Sequence, residues 1–431
     1  MESARVVWGY RLLLLALAVL LAVPVATRAS GDWEKVYLAA AVNLRSGADL
    51  LANGSSYVYP PFGALFAVPF TFLPRGAGLA AWAVVNVLAV AVMLVGAWRL
   101  TGGRGLPGRP GTSRVDHAAF WLGGLCAVGF LLDAAANWQT DLLIGALLIG
   151  GAWLLAKGRG LSAGVAFGVA AAFKCTPLLF APYLVWKRQF LGAAAVVAVA
   201  VGLNFLPDLA YPPADGKPRA VVWKDRFLAP MASKDRDPGV WASAVGYNHS
   251  LAGVMLRWLA YDRTTADRQS VAVPKADRIS ATELKWLNLG VAAALGLVAL
   301  VSLWRGSREV AVGPVFAAEI GVVFTLMLLL SPMSSKPHFG ILLLPQLAVV
   351  RAGFAHRDRV LLATAAVVAA AGLCTGKDVV GRAAYEFLLW NGLIFGMTVL
   401  LFFGCCHARF WYPVRESHAN AEPVGAAARA A

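Results

Sequence analysis

The sequence predicts an all-α, polytopic integral membrane protein. Of its 431 residues 59% are hydrophobic and only 14% are charged, and apolar runs recur along nearly the whole chain. That composition is typical of membrane proteins with many spans. A bilayer core needs about 20 apolar residues per helix, and clear candidates lie near 12–27, 79–98, 118–135, 140–156, 189–206, 285–304, 312–331, 360–375 and 384–404.

Three shorter apolar runs complete the set, at 161–173, 176–186 and 339–350. Each is a further crossing or a broken or re-entrant segment. With them the chain has roughly twelve helices in a single membrane domain that covers 1–431, and no soluble domain is expected.

Basic residues in short loops set the orientation, because Lys and Arg are retained on the cytoplasmic side. An N-terminus inside puts the basic loops after 98, 156, 186, 304 and 350 inside as well, provided that the run 62–73 is re-entrant or interfacial and does not cross. The tail 405–431 is then cytoplasmic. The extracytoplasmic side of the plasma membrane collects the first outer loop 28–78, the turn 137–141, the long outer loop 207–284 and the segment 331–338.

Polar residues that interrupt apolar sequence therefore cluster on one face, as a site at the lipid-water boundary requires. The plain alternative is that outer loops are polar because they meet water, and the mixed charges of 207–284 suit that alternative. The formal charge of +15 is scattered through the inner loops, which favours contact with membrane lipids and argues against nucleic acid. The five cysteines have no disulfide or metal-site spacing.

Four separated stretches give the chain a resemblance to glycosyltransferase family 87, the membrane-embedded GT-C enzymes that use polyprenyl-phosphate sugars. The stretches occur in order along most of the chain: Gly31-Asp32 with Tyr37, Tyr59-Pro60-Pro61 and Leu73-Pro74; Gln139, Ala163-Gly164 and Lys174 to Leu179; Asn248-His249-Ser250-Leu251; and Leu330-Ser331-Pro332, Lys336 to Phe339 and Leu343-Leu344-Pro345. Where relatives often carry Gln in the third stretch this chain has His249, and where they often pair histidines in the fourth it has Pro337-His338.

The resemblance implies transfer of a hexosyl group, with mannose favoured, from a polyprenyl-phosphate donor to a glycolipid or polysaccharide hydroxyl. It implies a catalytic acid in the first outer loop and inversion by a single displacement. No cofactor and no metal are expected, because Asp32 and Glu34 do not form a convincing ligand set. Two other functions stay open: a transporter or flippase of a lipid-linked sugar, and a non-catalytic protein of envelope assembly.

Glycosyl transfer needs a base for the acceptor hydroxyl and positive charge or hydrogen-bond donors for the departing phosphate. Asp32 is the expected base, although it could instead cap a helix that begins near Trp33. Glu34 would face away from Asp32 on a helix and is a secondary candidate acid. Lys174 and Lys336 are the expected phosphate contacts; snorkelling to the interface is the alternative for Lys174, and ordinary solvation for Lys336.

Eight further residues complete the predicted site. Pro337 fixes His338 at the mouth of a span, where it could contact phosphate or sugar or be an ordinary interfacial histidine. Asn248 and His249 are weaker candidates for donor binding. Gln139 and Asp141 could bind sugar hydroxyls, with a helix cap as the alternative for Asp141. Tyr59, Pro60 and Pro61 are expected to shape the loop, and the tyrosine could also stack on a sugar.

Overall fold

The computed structural model describes residues 2–105, 112–232, 237–240, 245–266, 269–304 and 310–412. Within those ranges seven helices are long and apolar enough to cross a membrane. Seven shorter apolar helices accompany them, at 62–72, 141–156, 160–173, 176–186, 251–260, 314–330 and 359–373. The predicted all-α, polytopic architecture is therefore confirmed.

The elements of the first half begin with α1, which is a single long helix. The bounds are α1 Glu2–Thr27, α2 Ala39–Arg45, α3 Phe62–Ala67, α4 Arg75–Leu100, α5 Arg114–Ala136, α6 Asp141–Ala156, α7 Gly160–Phe173, α8 Phe180–Trp186 and α9 Phe190–Ala210. A π-helical turn, Trp33–Leu38, runs directly into α2, and 3-10 segments at Val68–Phe72 and Thr176–Leu179 extend α3 and precede α8.

The second half adds a two-stranded antiparallel hairpin to the helices. The bounds are α10 Arg219–Trp223, α11 Leu251–Ala260, β1 Tyr261–Ala266, β2 Gln269–Pro274, α12 Ala281–Trp304, α13 Pro314–Leu330, α14 Leu343–His356, α15 Arg359–Leu373, α16 Lys377–Val380, α17 Arg382–Trp390 and α18 Leu393–Trp411. Tyr261 pairs with Pro274 at the base of the hairpin. A π-helical turn at Lys224–Leu228 and 3-10 segments at Ala229–Ala232, Val245–Tyr247 and Lys336–Leu342 complete the set.

Two spans differ from the predicted runs. The run 384–404 is two helices, α17 and α18, because Gly392 has a φ of 86° between them, a left-handed conformation that interrupts a right-handed helix. The short run 339–350 is part of a 21-residue helical stretch, Lys336–His356. This stretch is longer than the apolar run because the helix continues through polar residues at its C-terminal end.

The long outer loop 207–284 is more ordered than a solvated loop. It contains the end of α9, all of α10 and α11 and the hairpin, and its Trp223, Tyr247, His249 and Tyr261 line a cavity. The segment 62–72 is a helix of 11 residues, about 16 Å long at 1.5 Å per residue and shorter than a bilayer core of about 30 Å. That length fits a segment that does not cross, which stays a prediction. The end of the tail, 413–431, lies outside the described residues.

A close backbone contact joins α7 to α9, and stacked rings anchor the first outer loop. A Cβ on Gly164 of α7 would lie 2.2 Å from the carbonyl oxygen of Gly192 in α9, so these helices touch backbone to backbone, as small residues allow in membranes. Trp33 and Trp82 stack at 3.8 Å between ring centroids. Both are fully buried, so the chain next to Asp32 is anchored in an aromatic core.

Candidate active site

One cavity of about 1210 Å³ collects residues from all four segments predicted to share the outer side. Its wall includes residues from the first outer loop, the turn 137–141, the long outer loop and 331–338. Most of the predicted site lines it: Asp32, Tyr59, Pro60, Gln139, Asp141, Lys174, His249, Lys336 and His338. Sequence segments more than 100 residues apart thus meet at a single site.

Asp32 is held at the cavity wall by its backbone and by an amide. Its N–H donates to the carbonyl of Asn137 at 3.0 Å, and the Gln139 side-chain amide donates to its carboxylate. A Cβ on Gly31 would lie 2.5 Å from the Trp138 ring, so only glycine allows this approach. Asp32 occupies the N-cap position of the Trp33–Leu38 turn but makes no side-chain cap hydrogen bond.

The environment of Asp32 favours a base that titrates above an ordinary aspartate. Burial raises the pKa of Asp32 above 3.8, and this effect exceeds the opposing attraction of Lys35 and Lys174. The repulsion of Asp141 acts in the same direction as burial, whereas the Gln139 hydrogen bond lowers the pKa. A raised pKa makes the ionised carboxylate a better proton acceptor.

Lys174 is the centre of a second group of polar side chains. Its ammonium donates to the Asp141 carboxylate at 2.7 Å and to Nε2 of His338 at 2.8 Å, and it lies 5.1 Å above the Tyr59 ring. An ammonium has only donors, so Nε2 of His338 accepts and the proton of the neutral ring is on Nδ1. Asp141 is the first residue of α6, whose N-cap is Thr140, so the predicted cap role of Asp141 is not observed.

Lys336, two residues before His338, belongs to a third group of polar side chains. Its Nζ lies 3.6 Å from the Asp133 carboxylate and 5.2 Å above the Tyr385 ring. Asn137 donates to the same carboxylate at 3.3 Å. The ion pair of Lys336 is therefore looser than that of Lys174, and its side chain is 14% exposed.

His249 and Asn248 have different surroundings although they are adjacent. His249 is buried against Phe339, with 6.2 Å between ring centroids, and burial lowers the pKa of His249 well below 6.5. Asn248 does not line the cavity. Its amide donates to the carbonyls of Gly239 and Pro332 and its oxygen accepts from the N–H groups of Ser250 and Ser334, so Asn248 ties loops together and has no capacity left for a ligand.

Three buried polar atoms of cavity-lining residues have no hydrogen-bond partner in another described residue. They are Oε1 of Gln139, Oδ2 of Asp141 and Nδ1 of His249. A buried polar atom without a partner costs about 1–3 kcal/mol. Three of them around one cavity indicate a ligand rich in hydrogen-bonding groups.

Of the four remaining predicted residues, Tyr59 and Pro60 line the cavity, whereas Glu34 and Pro61 do not. Glu34 is held by Arg75, whose guanidinium donates at 2.7 and 2.9 Å, and it does not line the cavity; the structure thus gives Glu34 an ion-pair role. Tyr59 stacks on Tyr37 at 5.2 Å. Pro60 accepts a hydrogen bond from the Tyr57 hydroxyl at 2.5 Å, and Pro61 is the N-cap of α3.

Sequence reasoning missed Asp133 and Tyr385, which surround Lys336. A signal for Asp133 existed, because an acidic residue inside the apolar α5 is costly unless it is paired or functional. Tyr385 lies in the run 384–404, which the sequence predicts to be a single span. In the described part of the chain, no group of three or more His, Cys, Asp or Glu residues has the arrangement of a metal site.

Comparison with known proteins places this architecture in a family. The sequence pattern of glycosyltransferase family 87 matches residues 57–332, which is more than half of the chain. The chain belongs to glycosyltransferase family 87. The family 87 match includes Gln139, Asp141, Lys174 and His249, whereas Asp32, Lys336 and His338 lie outside it.

The chain is also similar, at low sequence identity, to individual proteins. The chain is 30% identical over 155 residues to a polyprenol-phosphate-mannose-dependent alpha-(1-2)-phosphatidylinositol pentamannoside mannosyltransferase of Mycobacterium tuberculosis (strain CDC 1551 / Oshkosh), covering 35% of this chain and 33% of the relative. The crystal structures of ArnT from Cupriavidus metallidurans are similar with 15% identity over 77% of their length. The undecaprenyl phosphate complex gives a TM-score of 0.42 over 93% of this chain, and the apo state gives 0.40 over 94%.

Proposed function

We propose that this protein transfers mannose from a polyprenyl-phosphate donor to a hydroxyl of an envelope glycolipid or polysaccharide, at the extracytoplasmic face and with inversion. The observation that carries the proposal is the single cavity in which the half-buried Asp32, two lysines and His338 meet three unpartnered polar atoms. Family membership supports glycosyl transfer, and the name of the mycobacterial relative supports the donor and the sugar.

Asp32 serves as the general base in this mechanism. Its carboxylate takes the proton of the acceptor hydroxyl as the hydroxyl oxygen bonds to the anomeric carbon, and the bond from that carbon to the phosphate oxygen breaks on the opposite face. The electron pair of the broken bond leaves with the polyprenyl phosphate. Help of this kind is worth about 100-fold to 10,000-fold in rate. The Gln139 amide keeps the carboxylate pointed at the cavity.

The two lysines, Lys174 and Lys336, have different roles in binding the phosphate. Lys174 already donates to Asp141 and His338, so its charge is balanced and its main effect is to position His338. Lys336 has a looser pair at 3.6 Å, with a carboxylate that is 27% exposed, so it is the cation that can move to the phosphate at small cost. The Nδ1 proton of His338 is a further donor for the phosphate or the sugar.

The unpartnered atoms suit a hexose. A sugar hydroxyl both donates and accepts, so it can donate to the Gln139 and Asp141 oxygens and accept from or donate to the His249 ring. Tyr59 lines the cavity beside Lys174, with the buried Tyr37 stacked against it, and adds apolar surface to the wall. The phosphate, the sugar and the base would thus contact adjoining parts of one cavity.

The test is transfer by the purified full-length protein. With a short-chain polyprenyl-phosphate mannose and a lipid extract as acceptor, we expect radiolabelled mannose in the acceptor fraction. Asp32→Asn should lower turnover at least about 100-fold while donor affinity changes little. Glu34→Gln is the matched control, because this carboxylate pairs with Arg75 outside the cavity.

Three results would contradict the proposal in whole or in part. Equal turnover by Asp32→Asn would remove Asp32 from the mechanism. Movement of the intact lipid-linked sugar across proteoliposomes without transfer, unaffected by Asp32→Asn, would identify a flippase. If purified protein gives neither activity while it restores a missing glycoconjugate in cells, an assembly role without catalysis would replace both.

A further inference from the structure

A second, smaller pocket adjoins the catalytic cavity and is not used by the mechanism above. Its volume is about 270 Å³, slightly below the range of about 300–1,000 Å³ that is typical of sites for drug-sized ligands. Trp223 lines both this pocket and the large cavity. A ligand that extends past Trp223 would therefore occupy both.

Two loops that meet at the pocket hold its walls in place. Ala214 of the long outer loop donates its N–H to the Gly47 carbonyl of the first outer loop at 3.0 Å. Arg226 donates to both oxygens of Asp49 at 2.9 Å, a bidentate pair with fixed geometry. The Trp223 indole donates to the Val58 carbonyl at 3.0 Å. The pocket is thus preformed by contacts between residues far apart in sequence.

The chemistry of the pocket is that of a sugar site. Trp223 and Phe227 are four residues apart on one helical segment and both line the pocket, so they offer apolar surface to a sugar ring. Arg219 also lines the pocket and is 5% exposed. Its Nε has no hydrogen-bond partner within the described part of the chain, which leaves one buried donor for a ligand oxygen.

We infer that this pocket binds a hexose of the acceptor chain, one or more units before the sugar whose hydroxyl reacts. The inference rests on the proposed function and adds to it that the acceptor is an oligosaccharide and not a lone sugar. The lining charges are Lys217, Arg219 and Arg226 against Asp49 and Asp215. They nearly cancel, so the pocket suits a neutral sugar.

The experiment varies acceptor length with the purified full-length protein. The acceptors are methyl α-mannoside and α-linked mannose oligosaccharides of two, three and four units, because the product of the proposed transfer itself ends in mannose. In the unaltered protein we expect the acceptor KM to fall as the chain lengthens. Arg226→Ala and Phe227→Ala should each raise the KM of the longer acceptors about 5- to 30-fold, with kcat and the methyl mannoside KM within about twofold.

Lys224→Ala is the matched control, since it removes an exposed cation two residues before Arg226 that lines neither cavity. Calorimetric titration of the same oligosaccharides without donor tests the pocket even if transfer fails. In that case, length-dependent binding lost in Arg226→Ala supports the pocket although the transfer proposal is wrong. Equal affinity at every length overturns the inference, and so does Arg226-dependent binding of anionic phospholipid vesicles without oligosaccharide binding.

Discussion

Two clusters of buried charge lie near opposite ends of α13 and differ in exposure and in whether they border open volume. Near its start, Glu319 accepts from Lys187 at 2.7 Å, from Arg409 at 2.6 Å and from the Tyr183 hydroxyl at 2.5 Å. Its side chain and those of Lys187 and Arg409 are completely buried. Near its end, about 12 to 14 Å further along by helical rise, the large cavity begins at Met327 and Leu328.

The two clusters show that buried charge in a membrane protein does not by itself indicate a site. The Glu319 cluster is completely buried, lines neither cavity and joins three helical segments that are distant in sequence. The cavity cluster has partly exposed ions and unpartnered polar atoms beside open volume. We therefore assign Glu319 to stability and the cavity to function, and the following substitutions test that division.

The largest effect on stability is expected for Glu319→Gln. The substitution leaves two buried cations without their anion, which typically costs about 3–5 kcal/mol. Thermal unfolding in detergent should occur at a clearly lower temperature, whereas transfer per folded molecule should remain. Asp225→Asn is the control, because it breaks an ion pair whose side chains are about 60% exposed and should not change the unfolding temperature. Unchanged unfolding of Glu319→Gln would refute the structural assignment.

A smaller effect, on catalysis, should separate the two cavity lysines. Lys336→Met should raise the donor KM about 10- to 100-fold, the worth of a hydrogen bond to a charged group, with little change in stability. Lys174→Met instead leaves Asp141 unpaired and His338 unheld, so it should lower kcat and the unfolding temperature. Lys336→Arg retains the charge and should lie nearer to the unaltered protein. If Lys174→Met alone weakened donor binding, the two roles would be reversed.

Sequence patterns predicted most of the long apolar helices and the four polar segments that line one cavity, because hydropathy and polar interruptions can be read locally from the sequence. They did not predict the pairing of Lys336 with Asp133 or of Lys187 with Glu319. Those contacts depend on how each helix is rotated about its axis. A helix that is apolar on all sides carries no sequence pattern that determines this rotation. The break at Gly392 was missed for a related reason, since one glycine in an apolar run is compatible with a continuous helix.

The smallest expected effect is a change in pH dependence, and it tests whether Asp32 is the titrating base. The base acts when ionised, so kcat/KM should fall as the pH decreases through the pKa of Asp32. Because burial raises that pKa above 3.8, the loss should begin at a higher pH than for an ordinary aspartate. Lys35 is exposed, does not line the cavity and lowers the pKa of Asp32 by its charge.

Lys35→Gln should therefore move the acid limb of kcat/KM to higher pH and leave the plateau at high pH unchanged. The shift should shrink in about 1 M salt, where the screening length is about 3 Å, because Lys35 acts through solvent. Gln139→Leu should move the limb in the same direction, but its shift should persist in salt, since it removes a direct hydrogen bond to the carboxylate. A limb that stays fixed in both variants would mean that another group titrates, and the assignment of Asp32 would have to be abandoned even if Asp32→Asn were inactive.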